Sequence, residues 1–133
     1  MKVLSLCLLA GLLISNPALS HGVHDSGDAK PQKGGVIKSL ESLNVELVQI
    51  DGEVRVYIFG KDEKSAPLET SKYPVSAKVT YPREKGSHDV KLTAHENHWS
   101  AKVDAKGSHR YLFEFHIEQA GHKDNLKFNI EPK

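Results

Sequence analysis

The sequence predicts an all-β protein, an immunoglobulin-like antiparallel β-sandwich of seven or eight strands. Apolar and polar residues alternate along short runs, turn residues such as Asp51-Gly52 separate these runs, and no window carries a helical apolar stripe. Strict alternation places every second side chain on one face, as strands that pack on a core on one side require. Turn signals at this spacing are typical of antiparallel sandwiches.

The N-terminus has the pattern of a secretory signal peptide over residues 1–20. A positive charge at Lys2 precedes an apolar run of about a dozen residues, which is too short to span a bilayer as a helix. Ala18 and Ser20 then supply the small side chains that signal peptidase requires. We therefore expect cleavage after Ser20, a mature chain that begins at His21, and a periplasmic or secreted location.

Charge and cysteine content limit the partners of the mature chain. Without the signal peptide, 17 basic and 17 acidic residues remain, and the two signs are interspersed. This charge balance gives no electrostatic reason to expect a nucleic-acid partner. We also expect no membrane span, because no segment after the signal peptide is apolar enough. The only cysteine, Cys7, lies in the signal peptide, so a metal site in the mature chain must use nitrogen and oxygen ligands.

Two regions follow the signal peptide. Residues 21–35 are rich in glycine and charge, with Val23 as the only sizeable apolar residue. Such a segment buries too little surface to offset its ordering entropy, so we expect a flexible arm that contains histidine and glycine. The remaining residues, 36–133, are enough for one core and form the predicted sandwich domain.

The strands of this domain are predicted in chain order from their alternating apolar residues. Residues 43–50 come first, and a break in parity between Leu47 and Val48 indicates either a bulge or a strand covered on both faces. Five of the later runs have their inward residues at Val54/Val56/Ile58, Val75/Ala77/Val79, Val90/Leu92/Ala94, Trp99/Ala101/Val103 and Tyr111/Phe113/Phe115/Ile117, and a last run at Leu126/Phe128/Ile130.

The sequence contains eight histidines, all of them in the mature chain. After cleavage, His21 would offer its α-amino group and ring Nδ1 to the same metal ion, an arrangement that suits copper(II) once a third nitrogen joins. His24 could add a further donor from the same arm. These two residues are the first predicted metal ligands.

The second predicted pair is His95 and His98, which lie where two alternating runs meet. If Glu96-Asn97 forms a two-residue loop, the two imidazoles face each other across the first pair of a hairpin, at a separation that lets them share a metal. Both are predicted on the solvent side, where a polar hairpin tip needs no special role. Ordinary surface or core-edge positions are expected for the remaining histidines, His88, His109, His116 and His122.

Enzyme signatures are missing from the chain: there is no nucleophile elbow, no phosphate-binding glycine loop, no zincin motif and no cysteine nucleophile. We therefore expect a protein that is not an enzyme. A copper monooxygenase that uses a histidine brace stays an alternative from another class, and it would require a second histidine near His21. An aromatic patch of Tyr57, Phe59, Trp99 and Tyr111 could serve a partner or a glycan, although core packing explains most of these residues.

The first half of the mature chain resembles small periplasmic β-domain proteins associated with bacterial heavy-metal efflux and resistance, for copper, cobalt or zinc. Lys33-Gly34-Gly35-Val36, Val45-Glu46-Leu47-Val48, Asp51-Gly52, Val54-Arg55-Val56-Tyr57 and Ala66-Pro67 carry the resemblance. Those proteins commonly have a histidine-rich arm that leads into His-Gly-Gly, and Lys33 takes the place of that histidine here. A histidine at the mature N-terminus is also similar to periplasmic copper carriers, with which only His21 and the size and class match.

Together these observations predict a periplasmic metal-binding protein that acts as a carrier, buffer or efflux accessory in metal homeostasis. The predicted ligands are His21, His24, His95 and His98, and the predicted ion is copper, with zinc, nickel and cobalt as alternatives. A metal-efflux complex is the expected protein partner. The alternative function is an exported interaction module that binds no metal and recognises a partner protein or a glycan.

Overall fold

The computed structural model describes residues 29–62 and 66–132. The signal peptide predicted for residues 1–20 lies outside these residues, as do His21 and His24. Within them, nine β-strands and one short 3₁₀ turn, Thr70–Lys72, follow one another. The strands are β1 Val36–Ser39, β2 Leu43–Ile50, β3 Glu53–Gly60, β4 Val75–Thr80, β5 His88–Val90, β6 Thr93–Ala94, β7 Trp99–Lys102, β8 Tyr111–Gln119 and β9 His122–Ile130.

The strands form two antiparallel sheets, which confirms the predicted β-sandwich. Sheet A has the order β1-β2-β3-β7-β6, and sheet B has the order β5-β4-β8-β9. Apart from the edge strand β1, sheet A has the A-B-E-D order of immunoglobulin domains, and sheet B has their C-F-G order with one additional edge strand. No helix of the described residues is long and apolar enough to cross a membrane.

Tight turns close the two longest hairpins, one in each sheet. Asp51 and Gly52 join β2 to β3 with φ angles of 33° and 76°, and Ala120 and Gly121 join β8 to β9 with 48° and 79°. Positive φ at both central residues matches the right-handed twist of paired strands, which explains the choice of glycine at the second position. These turns fix the register of each hairpin.

The core lies between the sheets and consists of the inward residues that the alternation predicts. Trp99 of sheet A packs against Phe115 of sheet B, with ring centroids 5.6 Å apart. The most completely buried apolar side chains of the core are Val45, Val54, Val56, Ile58, Phe113, Phe115, Ile117 and Leu126. Tyr57 and Phe59 are also buried, but on the opposite, outer face of sheet A.

Strand β2 is covered on both faces and has no bulge. Its register with β3 runs without interruption from Leu43 to Ile50. Val45 and Leu47 face the core, whereas Glu46 on the outer face has an exposed fraction of 0%. Of the two explanations for the break in parity, the structure therefore supports burial on both sides.

The prediction of one strand through Val90, Leu92 and Ala94 was wrong. Residues 88–90 pair with β4 in sheet B, whereas residues 93–94 pair with β7 in sheet A. The chain changes sheets at Lys91-Leu92, so the predicted strand is divided into two short strands. Ala94 lies opposite Trp99 at the edge of sheet A and is exposed, while Leu92 is half-buried against the core.

Candidate functional site

Four side chains form a row across the outer face of sheet A, and we call them the outer-face row: Glu46, Tyr57, His98 and His95. Glu46 pairs with Tyr57 in the register of β2 and β3. Val56 pairs with Trp99, so Tyr57 and His98 are the next opposed residues along the same strands. The Tyr57 and His98 rings are stacked with centroids 5.0 Å apart. The row thus connects the second strand of the sheet to its far edge.

The end of the row is the predicted histidine pair, and the structure brings these two residues together. The amide of His95 donates a hydrogen bond of 2.8 Å to the carbonyl of His98, which closes the two-residue loop Glu96-Asn97. The two imidazole rings are stacked, with centroids 4.5 Å apart and planes inclined by 13°. The pair lies on the outer face beside Tyr57, and His95 is exposed while His98 is half-buried.

Hydrogen bonds to neighbouring side chains orient both rings. Nε2 of His95 lies 2.8 Å from Oγ of Ser100, and Nδ1 of His98 lies 2.8 Å from Oδ1 of Asn97. One ring nitrogen of each histidine is therefore engaged, and Nδ1 of His95 and Nε2 of His98 remain as donors to a ligand. Such bonds at the second nitrogen fix the tautomer of a metal-binding imidazole.

The environment of the pair favours a neutral imidazole at His98. Burial lowers the pKa of His98 below its ordinary value, and the nearby His95 and Arg55 lower it further. The Tyr57 hydroxyl and the Glu53 carboxylate raise the pKa of Arg55, so its positive charge persists beside the pair. A neutral ring has a lone pair available at neutral pH, as coordination requires.

The hairpin that carries the pair is supported from the 3₁₀ turn. The Thr70 hydroxyl donates a hydrogen bond to the carbonyl of His95, and the Thr70 amide donates one of 3.2 Å to the carbonyl of Glu96. Thr70 is 6% exposed. No sequence pattern predicts this contact, because it joins residues 25 positions apart and Thr70 lies in a loop without regular alternation.

At the other end of the row, Glu46 holds the end of the N-terminal arm. The amide of Gln32 donates to Oε1 of Glu46 at 2.6 Å, the amide of Lys33 donates to Oε2 at 2.8 Å, and the amide of Gly35 donates to Oε2 at 3.2 Å. Successive backbone N–H groups that converge on one anion form a nest. Of the arm predicted as flexible, residues 29–35 are thus held against sheet A, and residues 21–28 lie outside the described part.

Gly34 and Gly35 permit this approach for different reasons. Gly34 has a φ of 76°, which side chains disfavour. A Cβ on Gly35 would lie 2.1 Å from the carbonyl oxygen of Leu47, so any side chain there would push the arm off the sheet. The Gly-Gly pair is therefore explained by the docking of the arm onto β2.

The docked arm covers the aromatic side chains of the outer face. Residues 29–32 line a cavity of about 490 Å³ together with Phe59 and Gly60. The Lys33 ammonium group lies 5.5 Å from the centroid of the Tyr57 ring. Because Trp99 and Tyr111 belong to the core, the four aromatic residues considered as a patch do not form one exposed surface.

The pair does not acquire a third ligand from the described residues. No group of three histidine, cysteine, aspartate or glutamate side chains able to hold a metal occurs within residues 29–62 and 66–132. A site with three or more side-chain ligands therefore needs donors from elsewhere, and His21 and His24 are outside the described residues. His24 precedes Ala29 by five residues, which span at most about 18 Å when extended.

The remaining described histidines have ordinary positions. His88 begins the edge strand β5, with its Nε2 2.5 Å from Oε2 of Glu84. His116 lies on the outer face of sheet B, as its parity predicts. His109 is exposed on the surface, two residues before β8 begins at Tyr111. His122 is exposed at the start of β9.

Comparison with protein-family models, with curated proteins and with solved structures found no match to this chain. The resemblance to metal-efflux proteins stays a prediction from short motifs.

Proposed function

We propose that this protein is an exported metal-binding protein that carries or buffers copper, with zinc, nickel and cobalt as alternatives. The stacked pair of His95 and His98 carries the proposal, because it places two imidazoles 4.5 Å apart at the tip of a supported hairpin. His21, with its α-amino group, and His24 would complete the ligand set. In the same proposal, the protein acts in the periplasm, and its protein partner is a component of a metal-efflux complex.

The chemistry of the pair fits a borderline metal ion with a preference for nitrogen. Imidazole suits copper, zinc and nickel, and copper binds most tightly among the divalent ions of this series. The ring planes must turn for Nδ1 of His95 and Nε2 of His98 to converge on one ion. The hairpin tip permits this rotation because His95 is exposed.

Reversible exchange would be the mechanism. Neutral imidazoles bind the ion near neutral pH, and protonation of the same nitrogens releases it on acidification. Burial and the neighbouring cations lower the pKa of His98, so this ring stays available for binding further into the acidic range than an ordinary histidine. No covalent step and no catalytic group are required.

The test is a copper(II) titration, by calorimetry and electron paramagnetic resonance, of the chain that begins at His21. We expect one tight site with a nitrogen-rich tetragonal spectrum. Replacing both pair members, His95→Ala with His98→Ala, should remove two nitrogen ligands and weaken binding about a hundredfold. An added N-terminal glycine, which separates the α-amino group from the His21 ring, should weaken it as well.

The matched control is His122→Ala, which removes an exposed histidine from a hairpin turn of the other sheet. This variant should bind copper as the wild type does. Equal, weak binding at several sites in all four proteins would contradict the proposal. It would favour the alternative, an exported interaction module for a partner protein or a glycan.

A further inference from the structure

Strand β7 has an open edge where its pairing with β6 stops. Strand β6 pairs with Trp99 and Ser100 only, because the residues that precede it, Lys91-Leu92, cross over from sheet B. On this side no described strand lies beside Ala101 and Lys102, although β3 pairs with both of them on the other side. The edge of sheet A is therefore incomplete at the end of β7 that lies away from the histidine pair.

The backbone of Lys102 is directed into this gap. The amide of His95 donates to the carbonyl of His98, so residues 98, 100 and 102 share the orientation towards β6 in the antiparallel ladder. The amide of Val103 donates in the opposite direction, to the carbonyl of Gly52, in agreement with this alternation. No described backbone group bonds to Lys102 on the β6 side. Its N–H and C=O groups are thus available to an added strand.

A cleft of about 530 Å³ occupies the gap, which is within the size range of ligand sites, and we call it the β7 cleft. Its walls include both faces of β7 and the facing part of sheet B: Val79, Val90, Lys91, Ala101, Lys102 and Val103. Val103 and Val79 belong to the core, whereas Lys102 lies on the outer face. An extended segment in the cleft can therefore place one side chain between the sheets and the next one outside.

Two exposed lysines at the cleft, Lys91 and Lys102, have no ion-pair partner among the described residues. The acidic side chains of the lining are directed elsewhere: Glu53, opposite Lys102 in the register, lies 3.5 Å from Arg55, Oδ1 of Asp104 accepts the Lys106 amide at 2.9 Å, and Asp89 is on the outer face of sheet B opposite Lys78. The unpaired charge beside the open edge is therefore positive, which favours an acidic occupant.

From these observations we infer that the β7 cleft is a docking site for an extended peptide segment of a partner protein, which adds to β7 as an antiparallel strand. The peptide residue opposite Lys102 exchanges two backbone hydrogen bonds with it and carries an acidic side chain, because opposite charges stabilise a cross-strand pair. The residue before it, opposite Val103, places an apolar side chain between the sheets. The recognised sequence is thus an apolar residue followed by an acidic one. This site goes beyond the proposed function and does not depend on metal binding.

The experiment uses as probes two end-blocked peptides of sequence Thr-Val-Glu-Thr, one unmodified and one methylated on the glutamate nitrogen. Binding to the nitrogen-labelled chain that begins at His21 is followed by two-dimensional NMR. We expect the unmodified peptide to shift the amide signals of Lys102 and Val103. Methylation removes the N–H donor to the Lys102 carbonyl and leaves that carbonyl unpaired, so it should weaken binding about tenfold or more.

Substitution of the lysines tests the charge preference. Lys102→Gln and Lys91→Gln should each weaken binding of the unmodified peptide by up to about fivefold, the upper range for an exposed ion pair. The matched control is Lys78→Gln, because Lys78 is an exposed lysine of β4, which is paired on both sides. This control should bind the peptide as the wild type does, and the dispersion of the NMR spectrum shows that each variant is folded.

Three results would overturn the inference. The first is absence of shifts at Lys102 and Val103 with the unmodified peptide, and the second is equal binding of the unmodified and methylated peptides. The third comes from succinate, a free dicarboxylate that has no backbone to pair with β7. If succinate shifted the same signals at the same concentrations as the peptide, the cleft would be a site for small organic acids instead. None of these results changes the copper titration, so the proposed function is tested separately.

Discussion

Tyr111 shows how the packing of this sandwich changes the chemistry of a single residue. It begins β8 and is 3% exposed, with its ring 6.0 Å from that of Tyr81. Burial raises the pKa of Tyr111 to about 12, since the charged phenolate would lose its hydration, and the neighbouring Tyr81 adds to this effect. Burial also raises the pKa of Tyr81, whose hydroxyl donates to the carbonyl of Asp104 at 2.5 Å.

An alkaline titration tests this description of Tyr111. The folded protein holds the phenol neutral to about pH 12, whereas the unfolded chain ionises near pH 10. The contribution of neutral Tyr111 to the free energy of unfolding is therefore fully present below about pH 10 and is lost as the pH rises towards 12. We expect absorbance difference spectra of wild type and Tyr111→Phe to assign a transition near pH 12 to Tyr111. A transition near pH 10 in folded protein would contradict its burial.

At the scale of the elements, the hairpin β6-β7 depends on a loop distant in sequence. Thr70 donates both its hydroxyl and its amide hydrogens to the two carbonyls at the hairpin tip, those of His95 and Glu96. Strand β7 is held by its pairing with β3, but on the β6 side the tip follows a strand of only two residues. The 3₁₀ turn thus supports the histidine pair from behind.

Replacing Thr70 by valine tests this support. Thr70→Val keeps the shape of the side chain but leaves the His95 carbonyl without its hydroxyl donor, so we expect a loss of about 1–2 kcal/mol in the free energy of unfolding. Urea denaturation measures this loss. The matched control is Thr93→Val, which changes an exposed threonine of β6 and should have an effect within about 0.5 kcal/mol. Equal effects of both substitutions would argue against the support.

The sequence predicts a feature of these elements when the residues that determine it lie close together in the chain. His95 and His98 were correctly placed opposite each other, because a two-residue loop and strand parity fix their relation within four positions. The contact of Glu46 with the arm was missed, because an acidic residue between Val45 and Leu47 is typical of a solvated strand face. Its partners are backbone amides, and no side-chain pattern encodes a backbone nest.

Features that depend on contacts between distant residues were not predicted, for a related reason. The change of sheet at Lys91-Leu92 occurs inside a run whose alternation continues through Ala94, and the pairing partners of β5 and β6 lie in distant parts of the chain. The break in parity after Leu47 predicted either a bulge or cover on both faces of β2, and the uninterrupted register with β3 supports the cover. Only the structure identifies residues 29–35 as that cover, since their composition alone is typical of an unattached arm.

At the scale of the whole molecule, an open sandwich exposes the edge strands of its sheets. At one of these edges a lysine side chain opposes pairing with a second chain. Strand β1 is an edge of sheet A and exposes Val36 to 57%. On the same side of this strand, Lys38 extends over Phe128 of sheet B, with its ammonium group 5.4 Å from the ring centroid. An inward-pointing lysine on an edge strand opposes pairing with a second chain.

Substitution of Lys38 tests the protection of this edge. Lys38→Val would make the inward side of edge strand β1 continuously apolar with Val36, so we expect dimers or larger assemblies to appear by sedimentation velocity at concentrations where the wild type is monodisperse. Lys78→Val is the control, because β4 is hydrogen-bonded on both sides, to β5 and β8. Association of both variants to the same degree would indicate general loss of solubility instead of edge pairing.

The two tight hairpin turns also determine the order in which the molecule can assemble. Asp51-Gly52 and Ala120-Gly121 each join neighbouring strands, one pair in each sheet, so both hairpins can form early from local contacts. The pairings of β3 with β7 and of β4 with β8 join distant segments and must await loop closure, which makes them the slow step. Folding should therefore begin at two independent nuclei, and the segment between them, with the histidine hairpin, becomes ordered when the sheets close on each other.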